Sequence, residues 1–477
     1  MGKLHSIGPA GAEPLNDLAK LRQWVQFHEN PKAIALWERL TGPLLDWACP
    51  ARRRTFLALG ALAMIIKYLL RQLGETSPFE LDRAASSDLG GPLMVAVILL
   101  GIFAVGYLLA CNYSSLPSVV RGSPLVFLHG CFWGLLVFIW VCPTQHGLLW
   151  DVAVGLATIL PFFLWRLGYM FLSAKRGKVK GTRFKDQLMY LWPLWGGSNT
   201  PYGKGLDYLS RTEAKDRESL ARSQLAGIRL LMLAGIWTFA ARAMDGLVFG
   251  ADNFIRQAAG GLSLGLPRLS ELVHSPNGGS SVTGWVTLYS ELFANVLNRA
   301  SKGHLIIGVL RLFGFYVFRN TYKPLLAQSV VGFWNRYYYY FKELLVEFFF
   351  YPTFARWFRD SDKLRLFAAV FMAAFVGNMY YHLIKSTEKL VSQDIQGLWA
   401  MLGPRLVYCL LLALGIFVSM LREQRRLRQQ PTRSIPRKGL AIFGVWTFFA
   451  VINIWNQKDA GTIENATRCF LGLLGLN

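Results

Sequence analysis

Apolar residues in this chain come in long unbroken blocks, not in the alternating or three-and-four spacing of a soluble fold. The blocks run at about 55–72, 91–111, 124–142, 148–173, 224–249, 286–299, 303–318, 364–384, 396–420 and 439–456. A last apolar stretch, 469–476, is too short to cross a bilayer. A helix of roughly 18–20 apolar residues spans the hydrocarbon core and satisfies its own backbone hydrogen bonds, which lipid cannot do. The pattern therefore predicts an all-α polytopic membrane protein with about ten transmembrane or re-entrant helices. The sequence shows no internal repeat, which argues against a transporter built from inverted halves.

The polar intervals sharpen this picture. Hydrophobic residues make up 53% of the 477 positions and charged residues only 17%, yet the net charge is 51 − 28 = +23. The excess is clustered between blocks, at Arg52 to Arg54, Lys175 to Lys185 and Arg422 to Arg428. That is the positive-inside signature, and it also suits anionic lipids or an anionic cosubstrate. Nucleic acid is not an expected partner. The acidic 73–90 interval, with Glu75, Glu80, Asp82 and Asp88, is expected on the opposite side. Together these place the N-terminus in the cytoplasm. Six regions follow: a cytoplasmic amphipathic stretch (1–54), N-terminal spans (55–173), a basic cytoplasmic loop (174–222), a core (223–420), a second basic loop (421–438), and a C-terminal helix and tail (439–477). The six cysteines have neither CxxC nor zinc spacing, so no metal is expected.

One segment departs from the block pattern. Residues 319–354 are rich in Phe, Tyr and Trp but include Arg336, Lys342, Glu343 and Glu347. Charges at membrane depth are costly and face protein or a watery cavity. The segment fits an interfacial aromatic belt and a tilted or re-entrant helix about equally. Glu343 and Glu347 are one helical turn apart. Downstream, Asn378 and His382 are likewise one turn apart at the end of an apolar block. His382 fits either a structural role or that of a general base. Elsewhere, Arg242 and Asp245 lie three apart and are expected to pair.

The run Asn320-x-x-x-Pro324, Ser329, Phe333-Trp334-x-Arg336 and then Tyr351-Pro352, with His382 48 positions after Trp334, resembles the membrane-bound O-acyltransferase family. The nearest likeness is to its bacterial branch of alginate O-acetylases and teichoic-acid D-alanyl transferases. The stretch from Tyr190 to Pro201 is a weaker echo of the same family. Asn335, Tyr337 and Tyr338 depart from its Arg, Trp and His, and Leu383 stands where the family has Gly after the His. The resemblance implies helices around a buried tunnel in a bacterial inner membrane and acyl transfer, in its simplest form acetyl transfer, from acyl-CoA or an acyl carrier protein to a hydroxyl of a cell-surface or secreted glycan. It implies His382 as the base, Asn378 and Arg336 as catalytic partners, and Trp334, Arg336 and Tyr338 beside the cosubstrate. A periplasmic acetyl-transfer partner fits this scheme. Two other functions fit the same residues: a flippase or transporter for a lipid-linked sugar, and a non-catalytic assembly protein of acyltransferase descent.

Overall fold

A computed structural model describes residues 26–75, 90–142, 148–179, 181–189, 205–275, 281–429, 434–457 and 462–476. Among them there are helices, turns and one isolated antiparallel bridge, Glu213 with Phe315, but no strand. The stretch from Tyr190 to Pro201 and the residues Glu80, Asp82 and Asp88 lie outside the described residues.

The principal helices are α1 (Pro31–Trp47), α2 (Pro50–Glu75), α3 (Gly90–Cys111), α4 (Pro124–Val141), α5 (Leu148–Lys175), α6 (Arg217–Ala243) and α7 (Ser281–Leu312). Then come α8 (Val330–Tyr337), α9 (Tyr339–Leu345), α10 (Tyr351–Arg356), α11 (Asp362–Phe371), α12 (Asn378–Lys385), α13 (Ile395–Gln429), α14 (Ile435–Ile452) and α15 (Ile463–Leu473). Five helices among the described residues are long and apolar enough to cross a membrane: Pro124–Val141, Arg217–Val248, Asp362–Lys385, Ile395–Arg426 and Ile435–Asn456. The described residues are thus all-helical and suited to a bilayer.

The apolar blocks at 286–299 and 303–318 are not two elements. The first block and most of the second join in the single helix α7, which carries Arg299, Lys302 and His304 without a break. The helix α7 packs along α6, and glycine sets the spacing. A Cβ on Gly227 would sit 2.7 Å from the carbonyl oxygen of Gly308, so the two backbones nearly touch. Polar bonds fix the register: Ser223 Oγ donates to the Arg311 carbonyl at 2.8 Å, and Gln224 Nε2 donates to that of Leu312 at 3.4 Å. Asp216 starts α6 with a reciprocal capping box to Ser219.

The aromatic segment is a chain of short pieces, not one span. Ser329 caps α8, accepting from Gly332 N–H at 3.0 Å while donating to Glu423 of α13 at 2.9 Å. After α9 comes a π-helical turn, Val346–Phe350, and a second π-helical turn, Met372–Gly377, separates α11 from α12. The two meet where Gly377 lies under the Phe349 ring, leaving no room for a Cβ. The two glutamates of this segment are paired: Glu343 with Lys342, and Glu347 with Arg176 of the basic interval. This pairing, rather than a watery cavity, accommodates the two glutamates.

Candidate functional site

The second π-helical turn delivers the sequence's leading candidate. It resets the helical register just before α12, and π-helical turns of this kind often carry functional side chains. On α12, Asn378 is 2% exposed and its Oδ1 has no hydrogen-bond partner. His382 follows one turn later, its ring edge-on to Tyr381 at 5.7 Å. Its Nδ1 lies 3.4 Å from a guanidinium nitrogen of Arg405, on α13. Arginine can only donate, so this geometry places the lone pair on Nδ1 and the proton on Nε2. As arranged, the imidazole is a donor through Nε2. It becomes a base through Nδ1 only when Arg405 finds another acceptor.

Arg405 follows Pro404, which cannot bond to the carbonyl four residues back and loosens α13 there. Arg405 Nε is buried without a hydrogen-bond partner. One turn on, Tyr408 is an electrostatic neighbour of both Arg405 and Arg299. Arg299, from α7, lies with its guanidinium carbon 4.6 Å from the Tyr338 ring centre and 5.3 Å from that of Tyr337. Its Nε also lacks a hydrogen-bond partner. The charged neighbours of Arg299, Arg405 and His382 among the described residues include no carboxylate. Two guanidiniums and one imidazole therefore line an aromatic interior that has a positive field and vacant donors.

The structure brings together some of the residues singled out from sequence and leaves one apart. Asn378 and His382 share a helix face. Trp334 is buried against Phe341, whose ring meets Tyr381 at 4.8 Å, so it belongs to the wall beside His382. Tyr338 is buried beneath Arg299. Arg336 is exposed, and its carbonyl accepts from Tyr322 N–H at 2.8 Å. The guanidinium at His382 belongs to Arg405, which sits in the middle of an apolar block. An ionisable residue in such a block was itself a signal. The same signal marks His129 of α4, whose Nδ1 lies 2.8 Å from Tyr380 Oη. Trp133 Nε1 donates to the same hydroxyl at 3.2 Å.

A separate polar end holds a cavity of about 190 Å³ lined by Arg54, Lys178, Asp186, Asp207 and Glu213 among others. Its charges pair internally. Arg54 bonds Glu213 and lies 3.6 Å from Asp186, while Lys178 meets Asp207 at 2.8 Å. The bond to Glu213 is the main reason the Arg54 guanidinium is held above its ordinary pKa. Lys178 thus has a local partner within the basic interval. Compared with protein-family models and with curated proteins, the chain matches none.

Proposed function

We propose that the protein is a multi-pass membrane O-acyltransferase. It moves an acyl group, acetyl in the simplest case, from a thioester such as acyl-CoA to a hydroxyl of a cell-surface or secreted glycan. The observation that carries this reading is the contact between His382 and Arg405 beside the unsatisfied Asn378 amide oxygen. Acyl transfer needs a base within reach of the acceptor hydroxyl and a donor for the tetrahedral oxyanion. In the proposed sequence Arg405 turns from Nδ1 to the thioester carbonyl oxygen. The freed imidazole takes the acceptor's proton while the acceptor oxygen bonds to the carbonyl carbon. The carbon–sulfur bond then breaks, and the proton passes to the departing thiolate. Asn378 accepts from a neighbouring hydroxyl of the acceptor glycan and so orients the reacting one.

The finer architecture belongs to the same proposal. Some ten spanning or re-entrant helices enclose a tunnel in a bacterial inner membrane, with the N-terminus cytoplasmic. The tyrosines under Arg299 line the path of the donor. The carrier is acyl-CoA or an acyl carrier protein, and a periplasmic acetyl-transfer protein would pass the group onward.

The pair Arg299 and Arg405, with no carboxylate among their described neighbours, also favours a second reading, transport of an anionic lipid-linked sugar. One assay separates the two. Purified protein is given acetyl-CoA and cell-envelope glycan extract, and free thiol is followed for wild type, His382→Ala and Arg405→Gln. Acceptor-dependent release that vanishes in both variants is expected. Equal background in all three folded proteins, repeated with longer acyl donors, overturns acyl transfer and leaves the transport reading.

A further inference from the structure

A second cationic cluster lies at the C-terminal end of α7. Arg311 is twelve residues beyond Arg299, about 18 Å along the helix axis. It is therefore distinct from the His382 site and independent of the chemistry proposed there. Five side chains converge from three parts of the chain: His28 ahead of α1, Arg229 on α6, His304 and Arg311 on α7, and Arg319 in the loop that follows. Burial, then Arg229 and Arg311, pull the Arg319 guanidinium down to about 10. The only acid close to this group among the described residues is Glu29, whose carboxylate is 3.5 Å from His28 Nε2 and is itself 56% exposed.

The members differ in what they do for the fold. Arg311 is structural, since its Nε and a terminal nitrogen donate to the Val317 carbonyl at 3.2 and 2.8 Å. His304 Nδ1 donates to the Ala300 carbonyl at 2.6 Å. Arg229 and Arg319 have no such duty. Arg229 meets only the His28 ring, at 3.4 Å, and its Nε is buried without a partner. Arg319 stacks over Tyr322 at 5.2 Å and makes no hydrogen bond or ion pair among the described residues. His28 is 2% exposed, and its Nδ1 is also buried without a partner. Three guanidiniums held together against their mutual repulsion, with unused donors on Arg229 and Arg319, form a receptor for a compact polyanion. Tyr316, Phe318 and Tyr322 stand exposed on the same loop, side chains suited to headgroup depth or to packing against an organic ester.

We infer that Arg229, Arg311 and Arg319, with His28, bind a phosphate group carried either by a lipid headgroup or by a soluble phosphate ester. The test uses the full-length protein in detergent and reads its thermal unfolding midpoint. One arm titrates inorganic pyrophosphate. The other titrates short-chain phosphatidic acid against the matching phosphatidylcholine. A rise with phosphate probe in either arm is expected, weakened at least tenfold in apparent affinity in Arg229→Gln and Arg319→Gln. A response to pyrophosphate alone identifies a soluble ester, and a response to phosphatidic acid alone identifies a headgroup. Without ligand, both variants should unfold at or above the wild-type midpoint, because each removes a repulsive charge. The inference is overturned by no rise in either arm, by equal rises in wild type and both variants, or by ligand-free midpoints that fall in both variants.

Discussion

Arg405 donates toward His382 Nδ1 across 3.4 Å, joining the one histidine of α12 to the arginine that follows Pro404 in α13. This contact fixes the imidazole tautomer and makes the two residues a unit. Substitutions should therefore be strongly non-additive. His382→Gln is expected to lower acyl-transfer turnover by about 10²–10⁴, the usual worth of a general base. The double variant His382→Gln/Arg405→Gln should be no worse than the poorer single variant. Turnover and KM measured for all three, beside unfolding midpoints, check this. Multiplying losses would show that the two act separately.

The site's parts were not equally visible in the sequence. His382 and Asn378 stand out because polar residues at helical spacing close an apolar block. Arg405 carries the same signal but was hidden in the longer block 396–420, where the surrounding Leu and Ala dominate any average. Arg336 was drawn in by its aromatic neighbours. It stands exposed in the last turn of α8, while Phe333 and Trp334 of the same helix are buried. The apolar blocks locate α4, α6, α13 and α14 well. They misjudge α7, where Arg299, Lys302 and His304, polar residues within one continuous helix, read as a gap between two spans.

The near-contact of Gly227 with Gly308 predicts a steep size dependence. A Cβ at Gly227 meets backbone on the partner helix, which cannot rotate away as a side chain could. Gly227→Leu is expected to cost about 1–3 kcal/mol through overpacking. Gly235, further along the same helix with open space beside it, should tolerate the same change. Unfolding midpoints in one detergent compare the two. Similar losses at both positions would remove the special role of the crossing point.

His28 gives a pH dependence with a definite sign. Burial, with Arg229, Arg311 and Arg319 nearby, holds its imidazole down to about 4, below the ordinary 6.5. Between those values the unfolded chain takes up a proton that the folded chain refuses. The contribution to stability is therefore complete above about pH 6.5 and is lost as the pH falls toward 4. Glu29, the acid beside it, works against the shift but is largely in water. The wild-type unfolding midpoint should drop by several degrees across this window, and His28→Gln should flatten that part of the curve. An unchanged slope in the variant would assign the acid sensitivity to other groups.

Asp245 tests how far spacing alone predicts pairing. Arg242 lies three residues before it on the same run of helix, yet Arg242 is exposed and Asp245 bonds instead to Arg268, from a segment over twenty residues away. Arg268 also reaches Glu291 at 3.4 Å and lies 4.0 Å over the Phe249 ring. The π-helical turn Met244–Val248 accounts for the choice, because it rotates Asp245 off the line that an ordinary helix would give it. Arg268→Met would leave two carboxylates facing each other, one of them almost wholly buried, and is expected to cost about 3 kcal/mol. Adding Glu291→Gln should restore part of that loss, since it removes one stranded charge. Arg242→Gln should change stability by no more than about 0.5 kcal/mol, as for an ordinary surface position. Unfolding measurements on the four proteins decide the matter. A large loss in Arg242→Gln with a small one in Arg268→Met would return the pairing to the residue that spacing favoured.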